Sequence, residues 1–373
     1  MGILSALPSE RYPPKRARRR RPFRSLMLML LALGLIIPAL AGAYLLNLGR
    51  IIDSETTKIA NAFPDEATRP QPAAATGPLG RGAGSAGAGP VAAGSTAGAG
   101  RSLNFLVMGS DSRGATTEEA TAGTGSNQRA DTLMLVHLPA DRSKIYSISL
   151  MRDLWVGIPE HGKAKINAAL AFGGIPLMVQ SVESIFGQRI DHVAMIDFEG
   201  FVGMTDALGG VQVNIPAPFV SAHKQTAFSA GPNTLDGEHA LEFVRERYAF
   251  ADGDYQRVRN QQAFVRALLA KNLSAETLLN PVKVHGVISS MAPFISVDSG
   301  LDSVTLAALA LELKDVRPKD MVMFTLPTGG TGTSADGQSI VLPDPAAIGA
   351  LSAAMANGTM ADYVAANGLA GGN

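Results

Sequence analysis

The longest uninterrupted apolar stretch lies near the amino end, where Leu26 to Leu48 gives 23 residues without a charge. As a helix rising about 1.5 Å per residue it spans roughly 35 Å, slightly more than the ~30 Å hydrocarbon core of a bilayer. The run predicts one transmembrane helix, with room for Pro38 and some tilt. Thr56 to Phe63 then reads as a short juxtamembrane helix. From Pro70 to Gly100 the pattern collapses into Pro, Ala, Gly, Ser and Thr. That stretch predicts a coil with an end-to-end distance of about 30 Å, a short leash between the bilayer and the domain that follows.

Ordered patterning starts at Leu103, where LNFLVMG predicts a strand ended by the turn-forming GSDSRG. TLMLVHL from Thr132 and KIYSISL from Lys144 predict a hairpin turning through Pro139 to Arg142. Helical spacing of Val179, Val182 and Phe186 predicts a helix over Ile175 to Phe186, stopped by Gly187. A strand from His192, a helix over Phe198 to Leu208 and a strand over Val211 to Ile215 follow. Such βα alternation implies an α/β fold with a sheet covered by helices. Further helices are expected over Glu238 to Arg247, Tyr255 to Lys271 and Val304 to Leu313, with a closing strand over Met321 to Leu326. From Ala346 the sequence is an Ala- and Gly-rich tail. The implied organisation is a cytoplasmic basic segment (1–25), a transmembrane helix (26–48), a juxtamembrane stretch and linker (49–102), a catalytic domain (103–345) and the tail (346–373).

Charge sharpens this picture. Lys and Arg balance Asp and Glu over the whole chain, 32 against 32. The first hundred residues nevertheless hold 12 basic against 5 acidic residues, and the remainder 20 against 27. Eight of the basic residues fall between Arg11 and Arg24. Beside an apolar span such a run keeps the amino terminus cytoplasmic and places the domain outside. A cleaved signal peptide would have a shorter apolar region, of about 7 to 15 residues. Position beside the span also makes topology a simpler cause than nucleic-acid binding. With no cysteine, disulfides, thiolate metal sites and cysteine nucleophiles are excluded.

Candidate chemistry gathers at element ends. Asp111 and Arg113 lie in the glycine-bracketed loop after the first domain strand, Arg129 and Asp131 precede the next, and Arg152 and Asp153 end the one after it. Taken singly, each is an ordinary turn or ion-pair residue; taken together, aspartates without cysteines or paired histidines suit a hard cation such as Mg²⁺. The densest cluster is Arg245, Arg247, Arg257 and Arg259 in LEFVRERYAFADGDYQRVRNQQ. Arg245 and Arg247 diverge on a helix but turn together at an extended helix end. Arg257 and Gln261 share a helix face beside Asp254 and make an anion-binding ridge. The competing view is a solvated charged face paired with Glu242, Glu246 and Asp252. The six histidines have no metal-ligand spacing, and no G-x-S-x-G elbow accompanies Ser110 and Ser112.

The series GSDSRG, RADTLMLVHL, SISLMRDLWVGIP, KINAALAFGG, DALGGVQVNI, LDGEHALEFVRERY and GDYQRVRNQQ resembles, in order and spacing across Asn104 to Lys271, the LytR-CpsA-Psr family of cell-envelope proteins, in its actinobacterial type. The resemblance implies a single-pass anchor and a three-layer α/β/α extracytoplasmic domain with a central mixed sheet and an apolar lipid cavity. It also implies a phosphotransferase that moves a glycopolymer from a polyprenyl diphosphate carrier to peptidoglycan and releases polyprenyl phosphate. By the same resemblance Asp111 and Asp131 are the carboxylates of Mg²⁺, with Mn²⁺ as a substitute. Arg129, Arg152, Arg245, Arg247 and Arg257 become phosphate clamps, with Arg113, Lys165 and Gln261 as further diphosphate contacts. Arg152 and Asp153 are catalytic candidates, Asp153 either orienting an arginine or assisting proton removal. Lys165 and Asn167 fall in the family's KIN segment. Many members carry arginine where this chain has Asn260, which leaves Arg259 either as its substitute or facing solvent. A diphosphatase using water, or a non-catalytic lipid-carrier binder, would use much the same residues; Asp111 and Asp131 favour catalysis. No helix-turn-helix points to nucleic acid.

Overall fold

The computed structural model describes residues 42–73, 100–111, 129–278 and 280–371. Most of the expected transmembrane run, the linker residues 74–99 and Arg113 therefore lie outside the described residues. The strands are β1 (Thr57–Ile59), β2 (Leu103–Asp111), β3 (Arg129–Leu138), β4 (Ile145–Ser149), β5 (Trp155–Ile158), β6 (Gly162–Lys165), β7 (His192–Asp197), β8 (Val211–Ile215), β9 (Phe219–Val220), β10 (Ala227–Phe228), β11 (Gly231–Leu235), β12 (Ser296–Asp298), β13 (Met321–Thr325), β14 (Thr328–Thr333) and β15 (Ser339–Pro343). Seven of them form one mixed sheet in the order β1-β12-β7-β2-β3-β4-β13. β2 runs parallel to β7 and antiparallel to β3, and the expected hairpin is the antiparallel pair β3 and β4. The others form two-stranded hairpins around it.

The helices are α1 (Ala168–Phe186), α2 (Phe198–Ala207), α3 (Gly237–Arg245), α4 (Asp254–Asn272), α5 (Pro281–Met291), α6 (Ser303–Glu312), α7 (Pro345–Asn357) and α8 (Met360–Ala366). α1 starts before the expected Ile175 because Gly173 and Gly174 carry it through a kink, Gly174 at φ 66° where a side chain would be strained. Among the described residues α1 is the one helix long and apolar enough to cross a membrane. It is a core helix: Ile175, Met178, Val179, Val182 and Phe186 pack against Leu106, Met108, Leu133, Leu135, Ile148 and Met195 of the sheet. Leu351 and Met355 of α7 and Met360 and Val364 of α8 join the same core. The Ala-rich tail thus folds, small residues letting its helices approach closely around a few large apolar anchors.

The helix expected over Thr56 to Phe63 does not form. Helix covers residues 42–55, and Thr57–Ile59 is the edge strand β1, parallel to β12. Ile59 is fully buried in the main core, which outweighs local helical tendency. Beyond β1, Arg69 pairs with Glu183 of α1 at 2.8 Å and Glu66 with Arg189 at 2.7 Å. The Pro70 to Gly100 run accordingly joins two strands of one sheet, and does not separate the sheet from the apolar amino-terminal run.

Candidate diphosphate and lipid site

The sheet face opposite α1 floors a cavity of about 550 Å³, walled by α2, α3 and α4. Strand pairing lays its floor in rows. Val107 is level with Met134 and Ala194, and Gly109 with Thr132 and Ile196, and all six line it. A side chain at Gly109 would press on Thr132, its Cβ lying 3.0 Å from the threonine Cβ. Pairing slips between Gly109 and Ser110: Gly109 faces Thr132 and Ser110 faces Ala130, so Asp131 is the extra residue of a bulge. Alternation alone would turn Asp131 away from the side facing Thr132 and Met134; the bulge brings it into the cavity lining.

Polarity runs along the cavity. On α4 the lining passes from Arg257 and Gln261 to Phe264, Val265 and Leu268, eleven residue steps or about 16 Å of helix. The floor repeats the direction, from Asp131 near the amino end of β3 and Asp197 at the carboxyl end of β7 to Val107, Met134 and Ala194. Phe201, Met204, Met291 and Ile295 add to the apolar lining. Such a site suits an amphiphile with an anionic head.

The polar end is built on Asp254, at the start of α4. Its carboxylate lies 2.9 Å from Arg257, 3.3 Å from Arg247 and 3.9 Å from Arg152. Arg152, in the turn after β4, also donates to Asp131 at 2.6 Å. α3 ends at Arg245 because Glu246 is extended (φ −65°, ψ 132°), and this allows Arg245 and Arg247 both to face the cavity. The buried Glu246 carboxylate fixes that bend by accepting from the backbone N–H of Ala222, Arg247 and Ala249 at 2.7 to 2.9 Å. Arg245 lies over the Phe198 ring at 4.4 Å, a cation–π contact that holds the guanidinium in place.

The guanidinium groups are under-compensated. Arg257 is 4% exposed; burial, then repulsion from Arg152, push its pKa down to about 10 despite Asp254. Burial also works against Arg152, but Asp131, and after it Asp254 and Asp153, outweigh this and hold its pKa above the ordinary value. Among the described residues the buried Nε atoms of Arg152 and Arg257 have no hydrogen-bond acceptor. Phosphate oxygens are acceptors of the shape and charge these forks take.

Asp153 is half-buried against Arg152 (3.5 Å) and Lys165 (3.0 Å). Burial would raise its pKa, but Arg152 and Lys165 dominate and hold it below the ordinary carboxylate value. Asp153 and Lys165 thus stand behind Arg152, outside the cavity lining. Arg129 is exposed and level with Asp111 across β2 and β3. Asp111 shares a face of β2 with Val107 and Gly109. Asp111 and Asp131 are therefore two carboxylates on adjacent strands, Asp131 in the cavity lining against Arg152 and Asp111 at the end of β2 outside that lining; oxygen donors of this kind fit a hard cation that completes its shell with phosphate oxygens. Among the described residues no three His, Asp or Glu gather as a metal group.

Asn260 is buried and donates to the Phe243 carbonyl at 3.1 Å, tying α4 to α3. Arg259 is 39% exposed and pairs with Asp252, so it faces solvent and leaves the Asn260 position without an arginine. Glu242 is held by Ser221 and Thr226; among the described residues, of the charged-face pairings only Arg259 with Asp252 forms. Two features escape a reading of the sequence alone, the bulge that turns Asp131 and the shared role of Asp254. The DGDYQRVR spacing, with carboxylate and guanidinium three apart on one helix, is the signal for the second.

Residues 86–357 match the model of the LytR_cpsA_psr family. Probable cell wall biosynthesis protein LcpB of Corynebacterium glutamicum is 38% identical over 216 residues, 57% of this chain and 52% of that protein. The chain thus spans about half the length of the curated relatives it matches. Among solved structures, a LytR-Csp2A-Psr enzyme from Actinomyces oris superposes with a TM-score of 0.55 at 25% identity, covering 68% of this chain and 89% of the other. TagT bound to LI-WTA superposes with a TM-score of 0.52 at 24% identity, covering 69% and 90%.

Proposed function

The chain belongs to the LytR_cpsA_psr family, and from that premise we propose that it is a membrane-anchored phosphotransferase, its catalytic domain extracytoplasmic, that attaches a glycopolymer from a polyprenyl diphosphate carrier to peptidoglycan. The observation that carries this reading is the polarity of the cavity, arginines at one end and Phe264, Val265 and Leu268 at the other. The polyprenyl tail lies in the apolar part and the diphosphate against Arg152, Arg245, Arg247 and Arg257. A relative named for cell wall biosynthesis and a structural neighbour titled as bound to LI-WTA support the substrate class.

In the reaction an acceptor hydroxyl of peptidoglycan attacks the phosphorus next to the sugar. The bridging P–O bond breaks as the hydroxyl proton passes to the departing polyprenyl phosphate, and a phosphodiester forms between glycan and acceptor. Arginine forks neutralise the charge that grows on the leaving phosphate. Arg152 is pre-aimed by Asp131 and Asp254. Asp153, with its lowered pKa, is a weak base and serves to position Arg152. Asp111 and Asp131 would hold Mg²⁺ or Mn²⁺, which supplies Lewis-acid neutralisation of the diphosphate when bound.

The test is transfer in vitro with a synthetic polyprenyl-diphosphate glycan donor and peptidoglycan fragments. The expected product is a phosphodiester-linked conjugate with release of polyprenyl phosphate. Release of free glycan phosphate alone would make the protein a diphosphatase, and no turnover would contradict the proposal.

A further inference from the structure

The apolar end of the cavity continues into a second feature. Ala194 and Ile295 line the cavity and also pack on the cluster of Leu103, Leu138, Leu301 and Leu309, which α6 closes. Down one face of β2 the order is Asp111 at the strand end, Gly109 and Val107 in the cavity lining, then Phe105 and Leu103 beneath α6. These eight residue steps amount to about 26 Å of strand. α6 therefore lies beyond the cavity end farthest from the arginines.

The outer side of α6 is apolar. Val304, Ala307, Ala308 and Leu311 follow the i, i+3, i+4, i+7 spacing of one helix face. Val304 is 74% and Leu311 72% exposed. Lys314 follows three residues beyond Leu311 and is exposed. The start of α6 is held by the segment that precedes β1: Asp53 accepts from the Ser303 N–H at 2.9 Å and the Ser303 hydroxyl at 2.6 Å. Asp53 is only five residues past the end of the uncharged run at Leu48. Lys58 of β1 donates to the Leu301 carbonyl, and the Thr57 N–H to the carbonyl of Ile295.

We propose that the outer face of α6 rests on the lipid surface, so that the apolar end of the cavity faces the bilayer and the arginine cluster stands away from it. The occupant is lipid because an uncharged, exposed helix face is tied within a few residues to the end of the uncharged run. This rests on the reading of residues 26–48 as a membrane span. It makes the domain a fixed stand on the membrane in place of a body on a leash, with the carrier's tail entering from the side where the lipid is.

The chain has no cysteine, so single labels are clean. Leu311→Cys and, as control, Ala335→Cys in the exposed turn after β14 are labelled with a polarity-sensitive fluorophore in the full chain, reconstituted in phosphatidylglycerol-containing vesicles. Ala335 follows the opposite sheet edge. A lipid-borne nitroxide should quench the label at 311 at least three-fold more than that at 335. Equal quenching, or iodide in the water quenching both alike, overturns the proposal. Val304→Glu with Leu311→Glu should slow transfer from a vesicle-borne donor at least five-fold and leave a short-tailed soluble donor unchanged; equal rates on both donors also overturn it. The quenching does not depend on turnover, so a failure of the proposed reaction is seen separately, as no transfer from either donor.

Discussion

Arg152 donates to Asp131 at 2.6 Å, joining the turn after β4 to the bulge of β3. A backbone irregularity and an ion pair together decide where the polar end of the cavity begins. Asp131 reaches the cavity because an extra residue is inserted in its strand, and it then holds Arg152, whose ion-pair distances to Asp153 and Asp254 are longer, 3.5 Å and 3.9 Å. Removing either residue leaves a partly buried charge without its main partner.

The arginine cluster gives the first prediction. Bidentate contacts to a desolvated phosphate are not reproduced by an ammonium, so Arg245→Lys, Arg247→Lys and Arg257→Lys each slow transfer. A charged hydrogen bond lost at the transition state costs on the order of 2 to 4 kcal/mol, or roughly 30- to 800-fold in rate. Arg259→Lys, on the solvent side with Asp252, stays within about two-fold, since exposed ion pairs are worth about 0 to 1 kcal/mol. Initial rates of the four variants with one donor are the check.

Arg257 predicts a trade of stability against activity. Its pKa pushed down to about 10 means that the charge is disfavoured in the empty fold. Replacement by an apolar residue of similar length, Arg257→Met, therefore stabilises the protein by about 1 to 3 kcal/mol while abolishing transfer. Asp254 keeps Arg247 and Arg152 in that variant. Thermal melting of the two proteins without ligand decides it, and a lower melting temperature in the variant would show the charge to be fully compensated.

Asp153 sets a pH dependence. Its carboxyl is lowered in the fold, by Arg152 and Lys165 against the effect of burial. The folded state therefore binds this proton less tightly than the unfolded chain. The contribution to stability is complete above the ordinary carboxylate pKa of about 3.9 and is lost as pH falls through the lowered value. Lys165→Met removes one cause, so urea midpoints measured from pH 6 to pH 3 should fall less steeply on the acid side in the variant. Identical slopes would detach Lys165 from Asp153.

The two carboxylates give the metal prediction. Asp131→Asn and Asp111→Asn should each abolish transfer, and EDTA should abolish that of the parent, with activity restored by Mg²⁺ or Mn²⁺. Asp111 sits at a strand end with little core packing, so its variant melts within a few degrees of the parent. Full activity in EDTA would remove the cation from the reaction.

The sequence made the central strands and most helices readable because each buries one regular face, as Leu133 and Leu135 do in β3 and Val179 and Val182 in α1. It missed β1, three residues whose strand state comes from pairing with β12, some 240 positions away, and from the burial of Ile59. The tail's helices are not legible in the sequence because alanine and glycine mask the spacing of Leu351, Met355, Met360 and Val364. At the site, the shared face of Arg257 and Gln261 could be read from local spacing, whereas the helix expected to reach Arg247 stops at Arg245, because the Glu246 carboxylate turns to the backbone N–H of Ala222. The turning of Asp131 could not be read there, since a bulge depends on the partner strand's register.

The central claim is that one cavity holds an apolar tail and a phosphorylated head together, and native mass spectrometry of the detergent-solubilised full chain tests it most directly. A retained polyprenyl phosphate or diphosphate is expected on the parent, lost both when the head contact is removed by Arg257→Met and when the tail wall is charged by Leu268→Glu. A retained lipid without phosphate, or phosphorylated lipid held equally by the parent and both variants, would contradict it.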